Sequence, residues 1–142
     1  MTENKKSHTT NYFDAFIEVA EDCPVTKGEI PPITNTTKSI ARLQYEMLSK
    51  NPYAFTSDDI LFRVYADRND LTESELPAAR EQFFSKGQPC LRASPLTKRY
   101  GWGIHSDNKG KVAMFGVETQ EYEAFIKNAA LKKVKAMRSK RN

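Results

Sequence analysis

The feature that most constrains the fold is a pair of alternating segments on either side of one turn. Trp102, Ile104 and Ser106 alternate with Gly103, His105 and Asp107, and Val112, Met114 and Gly116 alternate with Ala113, Phe115 and Val117. A period of two sends successive side chains to opposite faces of a strand. Between the segments stands Asp107-Asn108-Lys109-Gly110, a set of residues suited to a tight turn. The pattern predicts a β-hairpin over 101–117. An isolated hairpin is marginal in water, so other strands and helices must cover it.

Ile40, Leu43, Met47 and Leu48 recur at helical spacing. They predict an amphipathic helix over 38–50, capped by Thr36 or Thr37 and stopped by Asn51-Pro52. Thr56-Ser57-Asp58-Asp59 reads as a helix start, and capping accounts for both carboxylates. The apolar run that follows, 60–66, fits a helical stripe and a strand face alike, and the cap favours helix over 57–68. Thr72-Glu73-Ser74-Glu75 is a capping box opening a helix over 73–86, with Gly87 just past its end. Thr119 caps a last helix over 120–128, with Tyr122, Phe125 and Ile126 on one face.

Partial alternation of Phe13, Ala15, Ile17 and Val19 predicts a first strand, and Gly28-Glu29-Ile30-Pro31-Pro32 is a loop. Residues 90–93, flanked by Pro89 and Pro95, are short enough for a brief strand. The closing stretch 133–139 fits either a last strand or a frayed tail. Together these elements predict an α+β protein with a mainly antiparallel sheet, a β-hairpin in its C-terminal half and three to four helices. Residues 1–11 read as a flexible polar arm, and 12–142 as a single domain ending in a basic segment.

No apolar run approaches the roughly 18–20 residues that cross a bilayer, so no membrane role is expected. The N-terminus has no apolar stretch of the kind a secretory signal carries. With two cysteines only, Cys23 and Cys90, the expectation is a cytoplasmic protein with reduced thiols. The net charge of +4 is unevenly spread: residues 127–142 hold seven Lys/Arg and no acid, leaving 15 Lys/Arg against 18 Asp/Glu elsewhere. A uniformly basic nucleic-acid-binding domain would look different. The tail suits phosphate backbones but has no interleaved aromatics for base stacking.

Groups that carry chemistry concentrate between Cys90 and His105. Arg92, Lys98 and Arg99 supply cations, Ser94 and Thr97 hydroxyls, and Tyr100 and Trp102 rings. Guanidinium, ammonium and hydroxyl donors in one segment suit a carboxylate or phosphate. The plain alternative is a loop entering the hairpin, with Trp102 in the core and the cations in water. Cys90 and His105 are weak candidates for a nucleophile and its base, set against the inertness of most buried cysteines. His8, Cys23, Cys90 and His105 show no zinc-ligand spacing, so neither metal nor cofactor is expected.

The residues therefore favour a binding module for an anionic small molecule or polyanion, nucleic acid included, through this basic-aromatic segment. A small enzyme using Cys90 or His105 with an Arg/Lys anion clamp is one alternative, and a regulatory partner-binding module is another. The first two readings require Arg92, Lys98, Arg99 and His105 to converge.

Three stretches, Phe84-Ser85-Lys86-Gly87-Gln88-Pro89-Cys90, Ser94-Pro95-Leu96-Thr97-Lys98-Arg99-Tyr100-Gly101-Trp102-Gly103-Ile104-His105 and Ala136-Met137-Arg138-Ser139-Lys140-Arg141, resemble a family of small uncharacterised bacterial proteins of unknown function. The likeness runs from about Tyr12 to Arg141. It implies an intracellular microbial protein and transfers no catalytic residue. The layout of 96–127 is also similar to a bacterial group of DNA-binding-like proteins with a frataxin-like antiparallel sheet, which implies something of the fold alone.

Overall fold

The hairpin predicted from the alternating segments forms the middle and one edge of a four-stranded sheet in the computed structural model, which describes residues 7–34 and 38–140. Strand β1 (Ala15–Glu18), β2 (Trp102–Ser106), β3 (Val112–Gly116) and β4 (Lys132–Lys135) lie in the order β3-β2-β1-β4. Ile104 faces Met114 across the hairpin and His105 faces Ala113. Gly110, at φ 82°, closes the turn, and the Asp107 carboxylate accepts from the amides of Lys109 and Lys111. Gly tolerates this left-handed backbone because it has no Cβ.

β1 runs antiparallel to β2, pairing Phe16 with His105, and parallel to β4, pairing Phe16 with Lys133. The sheet is therefore mixed: two of its three pairings are antiparallel, in line with the expectation, and the third is parallel. The cause is helix α5 (Gln120–Lys127), which carries the chain from β3 across the sheet to its far edge. A strand delivered by such a crossover runs parallel to the strand it left, and here also to β1. The 133–139 stretch, open between strand and tail, becomes a strand over its first part. Beyond it the Ser139 and Lys140 amides donate to the Asp22 carboxylate.

The two sheet faces differ in their cover. On one lie Ile17, Ile104 and Val112, packed with Ala41 and Leu48 of α1 (Ile40–Lys50), Ile60 of α2 (Ser57–Arg68) and Leu91. On the other, α5 lays Tyr122 and Phe125 over Phe16. Gly103 makes this approach feasible: a Cβ there would stand 2.5 Å from the Phe16 ring and 2.6 Å from the Tyr122 ring.

Five α-helices form among the described residues, more than the three to four expected. α1 is capped by Ser39, whose hydroxyl accepts from the Arg42 amide; Thr36 and Thr37, the caps expected from sequence, lie outside the described residues. The ambiguous 57–68 stretch is helix. Thr56 and Asp59 form a reciprocal capping box, and β3's edge is met instead by the segment before it, through Tyr53 and Phe55. The Thr72–Glu75 box opens a 3-10 turn, then α3 (Leu76–Phe83). α3 ends at Phe84, so Gly87 is not its cap. Residues 91–93 are a 3-10 turn, not a strand, and lead into the four-residue α4 (Pro95–Lys98). The cause is local: Ser94 caps α4 through the Leu96 amide, and the Thr97 hydroxyl donates to the Leu91 carbonyl.

The first six residues of the polar arm lie outside the described residues, but its last part is fastened down. The His8 amide donates to the Phe84 carbonyl. The buried Asp58 carboxylate accepts from the Thr9 hydroxyl and from both the amide and hydroxyl of Thr10. Asp59 caps α2, as the capping reading has it, whereas the Asp58 carboxylate is spent on the arm.

Candidate functional site

The short turns between Cys90 and Tyr100 form one wall of a cleft against α1 and α2. Its inner chamber, partly open to solvent, has a volume of about 440 Å³. Ile40, Leu61, Val64, Phe83, Pro89 and Ala93 give it apolar sides. An outer chamber of about 450 Å³ adjoins it, sharing Ile40, Arg68 and Pro95. Here the lining includes Lys98, Arg99 and Tyr100 and, among the described residues, no carboxylate-bearing one. Both volumes fall in the range of small-molecule sites, roughly 300–1,000 Å³.

The cations at the outer chamber have a local cause. Arg68 closes the last turn of α2 and Lys98 that of α4, where the helix dipole favours positive charge. That cause does not explain why two such ends meet beside Arg99. Among the described residues none of the three makes an ion pair, although Arg42, Arg80, Lys38 and Lys135 all do.

Of the residues singled out from sequence, Cys90, Ser94, Lys98, Arg99 and Tyr100 line this cleft. The others do not. Thr97 is fully buried, its hydroxyl spent on the Leu91 and Ser94 carbonyls. Arg92 donates from Nε to the Lys135 carbonyl and so braces β4. Trp102 packs against Tyr45 and donates its indole N–H to the Glu29 carbonyl.

His105 points to the opposite side of the sheet from the cleft. Its ring stacks on Phe125 at 4.4 Å between centroids, and Nδ1 shares a 2.8 Å hydrogen bond with the Tyr53 hydroxyl. Burial holds its pKa below the ordinary imidazole value, against the opposing pull of Asp107 and Asp14. Cys90 stands in the cleft beside the Tyr12 hydroxyl, 3.7 Å away. Burial, followed by the neighbouring Cys90, raises the Tyr12 pKa. With the sheet between them, Cys90 and His105 do not form a nucleophile–base pair. The condition that Arg92, Lys98, Arg99 and His105 converge is met only by Lys98 and Arg99.

Sequence reading missed the wall contributed by α1 and α2, above all Gln44 and Arg68. Gln44 carried a signal: it lies four residues from both Ile40 and Leu48, a polar side chain inside an apolar stripe. It is only 2% exposed, and its Oε1 accepts from the Ser94 hydroxyl.

Among the described residues no three His, Cys, Asp or Glu side chains gather as a metal site, and no helix is long and apolar enough to cross a membrane. Both cysteines are free thiols. What the geometry defines is an α+β protein with a mixed four-stranded sheet and a cleft between its helical cover and the loop that enters the hairpin. The chain belongs to the family of unknown function DUF6157, which matches residues 7–142. No curated protein and no solved structure matches it.

Proposed function

We propose that the protein binds a small amphipathic anion, its apolar body in the inner chamber and its charged group among Arg68, Lys98 and Arg99. The observation that carries this reading is the junction of the chambers, where one arginine borders an apolar cavity on one side and two further cations on the other. An apolar pocket with a few placed polar groups is the usual form of a ligand site. Exposed Ile40 and Tyr65 at the rim are apolar surface that a ligand would cover. Nucleic acid fits less well: Trp102 is engaged in packing, and the basic segment 127–142 holds no aromatic side chain for base stacking.

Isothermal titration at low ionic strength tests this with octanoate, octanol, acetate and a mixed single-stranded oligonucleotide. Octanoate is expected to bind more tightly than octanol or acetate, since only it joins an apolar chain to a negative charge. Saturable oligonucleotide binding with no response to octanoate would overturn the reading and return the function to the basic tail.

A further inference from the structure

Apart from Arg68 and Tyr65, the polar side chains on the wall of the inner chamber each make a hydrogen bond. Asn69 donates its amide to the Tyr65 carbonyl and Gln88 to the Phe83 carbonyl. The Ser94 hydroxyl is given to Gln44, and the Cys90 sulfur faces the Tyr12 hydroxyl.

Gln44 is the most deeply buried amide side chain among them. The Ser94 Oγ accepts from the Leu96 amide and donates its own proton to Oε1 of Gln44, which leaves Nε2 on the other side of the Gln44 amide. Among the described residues Nε2 has no hydrogen-bond partner, yet no fully enclosed side-chain nitrogen or oxygen is left unpaired. Nε2 is therefore not fully enclosed, and Gln44 is one of the residues that line the inner chamber. A side chain only 2% exposed, with no partner for its Nε2 among the described residues, thus lines the same cavity as Arg68. A buried donor without a partner is costly, so a bound molecule that supplies an acceptor there gains over one that does not.

We infer that Gln44 reads a carbonyl oxygen, and that the ligand is an acyl conjugate with an anionic tail, of the kind an N-acyl amino acid exemplifies. The acyl chain lies against Leu61, Val64 and Phe83, the carbonyl accepts from Gln44 Nε2, and the terminal carboxylate meets Arg68, Lys98 and Arg99. This rests on the amphipathic-anion reading above and adds the acceptor between its two ends. Gln44 is then a specificity-determining residue: an unbranched fatty acid of the same length leaves its amide unpaired.

The test compares N-octanoylglycine with undecanoate, a chain of matched length without the carbonyl, by isothermal titration on the wild-type protein and on Gln44→Met. The wild type is expected to bind N-octanoylglycine about fivefold more tightly, the worth of one hydrogen bond. In Gln44→Met that preference disappears while undecanoate affinity holds, which also shows that the cleft survives the substitution. Equal affinities in the wild type overturn the inference and leave the amphipathic-anion reading intact. A preference that persists in Gln44→Met also overturns it, because another group then reads the carbonyl. If neither compound binds the wild type, both readings fall together. Equal affinities in the wild type overturn the inference whether or not the variant folds, and Gln44→Leu takes the place of Gln44→Met in the second comparison if Gln44→Met does not fold.

Discussion

The Ser94 hydroxyl donates to Oε1 of Gln44, fifty residues earlier in the chain, while accepting from the Leu96 amide. One oxygen thus caps α4 and ties it to the middle of α1. Ser94→Ala removes the cap and leaves a buried amide acceptor without its donor. The combined cost is about 2–3 kcal/mol, read as a lowered urea midpoint at unchanged slope. A loss below about 0.5 kcal/mol would show that the two segments do not depend on this contact.

Asp58 plays the corresponding part for the polar arm, accepting three hydrogen bonds from Thr9 and Thr10. Asp58→Ala should cost about 2–3 kcal/mol and raise amide exchange at Thr10 selectively. Asp59→Ala removes only the capping box of α2 and the exposed pair with Arg80, and should cost about 1 kcal/mol. The order of the two variants in urea denaturation checks the assignment.

Much of this fold was readable in the chain because it is locally encoded. The hairpin, the Thr56 and Thr119 caps and the Thr72–Glu75 box rest on residues within a few positions of each other, and all four form. Contacts set by distant partners were not readable. The parallel pairing of β4 with β1 depends on where α5 delivers the chain, which no local pattern encodes. The same holds for the site. Ser94, Lys98, Arg99 and Tyr100 stood out as one segment, but Gln44 and Arg68 arrive from helices whose periodicity reports only that they pack. His105 stood out by type and adjacency, yet strand alternation turns it away from Ile104 and so from the cleft.

The place His105 occupies has a pH consequence. Burial against Phe125 holds its pKa below 6.5 in the folded state, and the Asp107 and Asp14 charges offset only part of this. The unfolded chain takes up its proton first as pH falls, so this contribution to stability is full above the unfolded value and diminishes as pH drops through it toward the folded one. Urea denaturation from about pH 8 to about pH 5 should show declining stability, and His105→Gln should flatten that decline. A steeper decline in the variant would contradict the assignment.

Gly103 gives a steric prediction. A methyl group there meets the Phe16 and Tyr122 rings, both held by α5's packing, so Gly103→Ala should cost at least about 2–3 kcal/mol. Gly87 is the control, since a Cβ there meets nothing nearer than a His8 ring atom at 3.9 Å. Gly87→Ala should leave the melting temperature nearly unchanged.

Arg68 offers the sharpest separation of binding from folding. It is exposed, is without an ion pair among the described residues, and borders both chambers of the cleft, whereas Lys98 and Arg99 border only the outer one. Removing an exposed, unpaired cation changes stability by at most about 0.5 kcal/mol. Placed where the apolar body of a ligand gives way to its charge, the same guanidinium can grip a carboxylate with two hydrogen bonds. Arg68→Ala should therefore weaken octanoate binding about tenfold with little change in melting temperature. Lys98→Ala and Arg99→Ala should each weaken it less, because each is one of two cations left around the carboxylate. Arg68→Lys should restore only part of the loss, since an ammonium supplies the charge without the planar fork. Equal octanoate affinity in Arg68→Ala and the wild type would remove the junction of the two chambers as the place where the anion is held.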